Sequence, residues 1–499
     1  MKMDSMASGE LLTRPAQKGD RVPLAIRVTS LGRVLDESRA LQLGVLAGIT
    51  FMAAVMRFYR LGDWSYWIDE IATIDRIQGG VQQMFSFPPV GISFLLTHAA
   101  VSIYGLTEWS ARLAPATIGT LAIPIAYFPL RAMFNARTAL IAVLLLAISP
   151  WHLFWSQSAR FYTTLLLFYS LAMFALFFGL ERDRLGYILL SLVFFALAAR
   201  ERMMSLLFIP VVVVYLACVY WLPFEKPKGL RARNLIPLIA LALLGLAFVI
   251  YEVIQSSQTG VGLIRNELNW FFDKPIDDPA RLLIFALLGI GIPLAILAVL
   301  SGSYLALEKN RAGLYLLIGA VLPLVLIILA NPFMFTKDRY IFMTLFCWIG
   351  LAAAGIDRLL SILPNRASLL AWGVFLVLVA QAATAHLLYY TVDHGDRYDW
   401  RGAFQIVQGQ MNPDDLLVTT RPEIAAYYFE GEVNDYVGLK PETIAAPGRR
   451  VWFVVDSERV WNNRQMKQWL FDHAVMVDFQ YLRVPEELNL RIYRADPVQ

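Results

Sequence analysis

Cysteine is nearly absent: the 499 residues contain two, Cys218 and Cys347, both inside long apolar runs. That excludes a disulfide framework and a cysteine metal cluster, and leaves the redox compartment unread. Histidine is almost as scarce. His98, His152, His386, His394 and His473 are scattered without ligand spacing, so no zinc site is expected. Charge is also short, at 16% of residues against roughly 25% in a soluble domain. The net charge of +4 is too small to mark a nucleic-acid partner and is better read through topology. The first forty residues lack an apolar stretch followed by a small-residue cleavage site. With Arg14, Lys18, Arg21, Arg27, Arg33 and Arg39, residues 1–40 are expected to be a cytoplasmic tail.

What the chain has in quantity is hydrophobic sequence: 58% of residues, with a mean hydropathy of +0.55. About 20 apolar residues make one spanning helix. Such runs occur at 41–59, 113–130, 138–155, 161–180, 185–199, 204–222, 235–254, 282–300, 312–330, 340–356 and 369–390. The expected architecture is a polytopic α-helical membrane protein of about 11–13 transmembrane helices followed by a small α/β domain. Residues 90–106 form a further apolar run. If it spanned, every later loop would change side. Placing it at the interface instead puts Arg131/Arg137, Arg182/Arg184, Lys226/Lys228/Arg231/Arg233, Lys309/Arg311 and Arg358/Arg366 on the cytoplasmic side with the basic tail. The first long loop, 60–112, and residues 393–499 are then extracytoplasmic. In the latter, Leu416-Leu417-Val418-Thr419-Thr420 and Arg450-Val451-Trp452-Phe453-Val454-Val455-Asp456 read as strands, as does an alternating stretch at 488–493. Asp399 is a natural cap for a helix opening at Trp400. Pro124, Gly289, Gly291 and Pro293 are candidate kinks.

The chemistry-bearing residues collect at one end of these spans. Asp69 and Glu70 follow Tyr66-Trp67-Ile68 just outside the first span, where partial burial would raise a carboxyl pKa and favour proton acceptance. Gln157, Arg160, Tyr162, Arg200, Arg202, Lys337 and Arg339 sit at or near the same face. Basic residues kept on the side that carries fewer of them suggest a bound lipid phosphate, for which the planar arginine fork is suited. The competing reading is that each snorkels to the interface or pairs with Glu201 or Asp338.

Several motifs carry a resemblance. Phe58-Tyr59-Arg60-Leu61-Gly62, Trp67-Ile68-Asp69-Glu70, Phe87-Pro88-Pro89-Val90-Gly91, Glu108-Trp109-Ser110-Ala111-Arg112-Leu113-Ala114-Pro115 and the segment from Ser149-Pro150 to Ser156-Gln157-Ser158-Ala159-Arg160-Phe161-Tyr162 form one set. Together they resemble the opening of GT-C superfamily glycosyltransferases, in the branch of the protein O-mannosyltransferases and lipid A aminoarabinose transferases (PMT-like and ArnT-like). Lys337-Asp338-Arg339-Tyr340 is similar to the Arg-Tyr that opens a late span there. The resemblance implies transfer of a sugar from a polyprenyl-phosphate donor to an extracytoplasmic lipid, glycan or protein, with inversion, in a bacterial inner membrane. It implies Asp69 as catalytic base and Glu70 as its support. It places Arg160 and Arg339 at the donor phosphate; from their position at the same face, Lys337 and Arg202 are expected to join them, and Gln157, Tyr162 and Tyr66 to position substrate. Two departures stand out: Phe87 replaces the family's histidine before Pro-Pro, and Ser158 replaces a glutamate in its Gln-Glu-Ala-Arg. The lost carboxylate makes a divalent metal, Mg or Mn, the less favoured option, and no metal site is assigned. A lipid-linked-sugar flippase or transporter is the alternative class. No internal repeat supports it, and the charges cluster at loop edges rather than in mid-span.

Overall fold

The computed structural model describes residues 38–80, 91–259, 278–362, 368–441, 449–457, 459–481 and 489–496. The Phe87-Pro88-Pro89 segment and nearly all of the N-terminal tail lie outside them. Among the described residues, seven helices are long and apolar enough to cross a membrane, or nine if each of two bent pairs is one span. Two more of the expected runs are also helical. The run at 185–199 lies in Leu185–Glu201, whose 17 residues are at the short end of spanning length. The run at 235–254 lies in Ala232–Thr259. Each expected run therefore falls on a helix or a bent pair. Large apolar side chains such as Phe51, Leu243, Leu300, Leu329 and Leu376 remain exposed on these helices, as a surface facing lipid requires.

The apolar run at 90–106 instead gives a 13-residue helix, Ile92–Tyr104. At about 1.5 Å per residue it reaches roughly 20 Å, short of a hydrocarbon core of about 30 Å. A carboxylate holds its start: Glu201 accepts from the Ser93 backbone at 3.0 Å and from its hydroxyl at 2.5 Å.

Both bent pairs have a local cause. Ala136–Ala147 and Pro150–Ser156 meet at 59°, where Ser149 caps the second helix by accepting from His152 N and Pro150 fills its first turn. Pro279–Ile290 and Ile292–Leu307 meet at 89°. Gly291 makes that corner at φ +94, a left-handed conformation that side-chain-bearing residues rarely adopt. The expected kink at Pro124 is absent as a break, since Glu108–Met133 runs continuously through three prolines.

The C-terminal part folds as a five-stranded sheet in the order β2-β1-β3-β5-β4. The strands are β1 Leu416–Thr419, β2 Val433–Asp435, β3 Val451–Asp456, β4 Val475–Tyr481 and β5 Asn489–Ala495. The β1–β2 and β1–β3 pairs are parallel, whereas β5 runs antiparallel to β3 and β4. All six β3 residues are buried, which is why this central strand reads as a continuous apolar run rather than an alternating one. Asp399 caps Trp400–Gln408 by accepting from Gly402 N. One apolar cluster joins Tyr66, Ile71, Ile74 and Ala111 of the membrane part to Trp400, Phe404, Ile424 and Trp452 of the sheet unit. Polar contacts at its edge reinforce it: Tyr66 N donates to the Tyr428 hydroxyl, Tyr428 donates to Glu108, and Arg401 pairs with Glu108. The sheet unit is thereby seated on the first loop.

Candidate active site

Asp69 and Glu70 lie in the first turn of the helix Ile68–Gln78, where the positive end of the helix dipole favours carboxylates. Successive helix residues point about 100° apart, so the two side chains diverge. Glu70 turns inward and is fully buried. Its two oxygens accept from Arg112 Nε at 2.8 Å and Nη2 at 2.7 Å, and Oε1 also accepts from Ala159 N at 2.7 Å. Arg112 uses its remaining N–H groups on the Leu61, Trp64 and Ser65 carbonyls, so one guanidinium shapes the whole approach to the acidic pair. Burial pulls the Glu70 carboxyl upward, but Arg112, Arg397 and the Ala159 N–H prevail and hold it below its ordinary value. The raised pKa expected from partial burial is therefore corrected for Glu70. It is an anionic pillar, not a proton acceptor facing substrate.

Asp69 points the other way, into a cavity of about 720 Å³ that Lys337 and Arg339 also line. Arg339 Nη1 lies 3.2 Å from Asp69 Oδ2, with both side chains about a quarter exposed. Arg339 also stands over the Trp67 ring, at 5.8 Å. Much of the remaining lining is apolar, with Leu145, Ile148, Phe285, Leu288, Leu294 and Leu378 among it. Gly289 and Gly291 of the 89° corner line it too. The roof comes from the sheet unit through Trp400, Arg421 and Ile424.

The other sequence candidates divide. Arg160 stands behind Asp69, with its Nη1 donating to the Asp69 carbonyl at 2.5 Å and to Thr73 Oγ1 at 2.9 Å. Burial lowers its pKa, and the nearby Arg339 and Arg202 guanidiniums add to this against the pull of Asp69. Arg160 and Arg202 flank one ring, Phe161, at 5.1 and 5.4 Å. Arg339 and Arg160 thus flank Asp69, with Arg202 close to Arg160, although neither Arg160 nor Arg202 lines the cavity. Tyr162 is buried against Trp155, with ring centroids 3.9 Å apart. Gln157 is already saturated: its amide oxygen accepts from Trp64 and Tyr389, and its nitrogen donates to the Met56, Arg57 and Tyr59 carbonyls. Tyr66 packs under Tyr427 and Tyr428, away from the cavity. Gln157 and Tyr66, expected to position substrate, thus do not line the cavity, and their contacts are to the protein itself.

Among the lining residues that escaped the sequence reading are Asp393, Asp396 and Arg397. Arg397 donates to the Gln157 carbonyl, Ser158 Oγ and the Gly395 carbonyl. Arg397 thereby fastens the turn after the last span to the Ser156–Arg160 segment. The run Asp393-His394-Gly395-Asp396-Arg397 is dense in charge directly after an apolar span, and that was the available signal. Gly395, at φ +65, has no room for a side chain: a Cβ would meet Trp64 Cγ at 2.6 Å. Gly395→Ala is expected to cost about 1–3 kcal/mol, read as a lower unfolding temperature in detergent. An unchanged midpoint would show that the turn can relax away from Trp64. Among the described residues, no three His, Cys, Asp or Glu side chains are grouped to hold a metal ion.

Residues 88–254 match the family of dolichyl-phosphate-mannose-protein mannosyltransferases. The structure is similar to apo ArnT from Cupriavidus metallidurans, with a TM-score of 0.55 and 16% identity, covering 93% of this chain and 98% of ArnT. ArnT bound to undecaprenyl phosphate gives a TM-score of 0.54 at 15% identity, with 91% and 97% covered. The chain shares the fold of ArnT. The Archaeoglobus fulgidus oligosaccharyltransferase in its apo form shares it, with a TM-score of 0.57 at 13% identity, covering 85% of this chain and 70% of that one. No curated protein matches the chain in sequence. Within this fold, the Asp69 cavity lies where the first loop, the late Lys337–Arg339 segment and the C-terminal unit converge.

Proposed function

We propose that this chain is an integral membrane glycosyltransferase that moves a sugar from a polyprenyl-phosphate donor to an acceptor outside the cytoplasm, with inversion. The observation that carries this reading is the cavity itself. In it the Asp69 carboxylate stands beside the cations Lys337 and Arg339, among other charged side chains, and an apolar wall is built at a broken span. A lipid phosphate has that same division. The polyprenyl chain lies along the apolar wall, and the phosphate meets Lys337 and Arg339, with Arg160 and Arg202 adding positive potential from behind. Asp69 takes the proton of the acceptor hydroxyl as its oxygen attacks the anomeric carbon. The bond from that carbon to the phosphate oxygen breaks, and its electron pair leaves on the phosphate, where the cations stabilise it. No second carboxylate is needed as nucleophile, unlike in retaining glycosidases. Glu70 and Arg160 act as positioning residues through the turn that carries Asp69.

Helix direction and charge support one orientation. Tyr162–Arg182 contains 21 residues, about 31 Å of helix, so Arg160 and Arg182 lie at opposite faces. The Arg182 face also holds Asp183 with Arg231 and Arg233, and Glu181 with Arg311. Its wealth of arginine supports a cytoplasmic assignment by the positive-inside rule, leaving Asp69 and residues 393–499 outside. A bacterial inner membrane is the location proposed.

The 89° corner beside the cavity also suits a lipid-linked-sugar flippase, since broken helices line transport sites. Direct binding and turnover separate the two. Purified protein should bind undecaprenyl phosphate, and Arg339→Met should weaken that binding about tenfold to a hundredfold. Sugar transfer or donor hydrolysis should accompany binding. Binding without turnover from any polyprenyl-phosphate sugar would favour the flippase, and no binding at all would reject a lipid-phosphate site.

A further inference from the structure

Asp393 and Asp396 take no part in the chemistry above, yet both line the Asp69 cavity. They sit on the tight turn that leaves the last span, closed by a hydrogen bond from Asp396 N to the Asp393 carbonyl at 2.8 Å. Asp393 is only 7% exposed, and its Oδ1 is buried without a hydrogen-bond partner. A buried carboxylate oxygen with nothing to accept from is costly and calls for an explanation. Its opening onto the cavity supplies one: the missing donor is a bound molecule. His394 and Asp396 both adopt left-handed backbone, at φ 47 and 54, so the turn holds the two acids in place at a conformational cost.

The ligand's chemistry follows from what else faces it. Lys337, Arg339, Arg397 and Arg421 line the same cavity and offset its acids, Asp69 and Asp338 included, which disfavours a further cationic group. A neutral polyol satisfies the acids without that penalty. A carboxylate accepts from hydroxyl groups, and a protonated carboxyl can also donate to one. The Asp396 carboxyl suits such sharing, being pushed up to about 6 by burial and then by Asp393, against the pull of Arg397. Because the proposed donor carries its sugar one bond from the phosphate, the nearest polyol to Lys337 and Arg339 is the transferred sugar.

We infer that Asp393 and Asp396 form the donor-sugar subsite, accepting hydrogen bonds from two hydroxyls of the glycosyl group whose phosphate Lys337 and Arg339 hold. This rests on the lipid-phosphate donor reading, and the test keeps the two separable. Affinities of purified full-length protein are measured for undecaprenyl phosphate without sugar, for undecaprenyl-phosphate hexoses, and for their monodeoxy analogues. Asp393→Asn and Asp396→Asn are compared with wild type, and asparagine tolerates the left-handed position at 396.

The wild type should prefer one hexose-bearing lipid over the bare lipid phosphate. Each variant should lose about tenfold to a hundredfold of that preference while binding undecaprenyl phosphate as before. Deoxygenation at the contacted hydroxyls should cost the wild type as much and the variants little further. A structural role alone would lower affinity for bare and sugar-bearing lipids alike, and that result would overturn the proposal. So would monodeoxy donors that all bind like their parents, or an effect confined to the KM of the acceptor. Should either variant fail to fold, the deoxy series on wild type still decides. If wild type binds neither lipid, the donor reading fails and the subsite falls with it.

Discussion

Asp69→Asn should reduce sugar transfer by about 10²–10⁴-fold, the range that a positioned general base contributes, while the protein still folds and binds lipid phosphate. The asparagine has the size of the carboxylate it replaces, and the contacts of the turn run through backbone. Arg160 bonds the Asp69 carbonyl, and so does the Thr73 hydroxyl, at 3.3 Å. What is lost is the proton acceptor and the charge 3.2 Å from Arg339. Removing that charge frees Arg339 for an anion, so affinity for undecaprenyl phosphate should hold or tighten. The combination of lost turnover and retained binding is specific. If Arg339 and Lys337 were interfacial anchors, neither wild type nor variant would bind undecaprenyl phosphate. If Asp69→Asn transferred sugar at the wild-type rate, the base would have to be sought elsewhere in the cavity.

The second large effect is on stability. Glu70→Gln removes the charge from a pair in which both side chains are fully buried, leaving the Arg112 guanidinium uncompensated. Such a change typically costs about 3–5 kcal/mol. Arg112→Met should cost at least as much, because it also strands the Leu61, Trp64 and Ser65 carbonyls. The double variant should be less destabilised than the sum of the singles, since each removes the other's unpaired charge. Additive losses would show that the pair does not act as a unit. The pH dependence has a definite sign. Glu70 is held below its ordinary value of 4.5, so its contribution is present above that pH and is lost as pH falls through the lower folded value. Thermal unfolding of wild type should show this acid-side loss, and Glu70→Gln should lack that component.

Adjacent in sequence, Asp69 and Glu70 read as one acidic pair, and the structure gives them opposite tasks. One helical step turns Glu70 to Arg112, 42 residues away, and Asp69 to Arg339. Nothing local marks which acid faces which partner, because both partners arrive from other helices. The same limit explains Gln157, whose five hydrogen bonds go to segments about 93–101 residues before it and to Tyr389 beyond it. A polar residue at a span boundary looks like a ligand contact until those partners are in place. Asp393 and Asp396 were passed over for the converse reason. A charged turn after a span usually faces water, and only the seating of the sheet unit over the first loop encloses this one.

By itself the sequence determined that this is a many-helix membrane protein with a polar C-terminal unit, where its spans lie, and that its acids and arginines gather at one end. Those features follow from apolar run length and from the cost of exposing backbone to lipid, which act along the chain. The tertiary structure alone decided which side chains meet. Packing turned Glu70 and Gln157 into supports, set Arg160 behind Asp69, opened an apolar wall at Gly291 beside Lys337 and Arg339, and brought Asp393 and Asp396 into the same cavity. Such meetings depend on distances between segments hundreds of residues apart, which hydropathy and spacing do not encode.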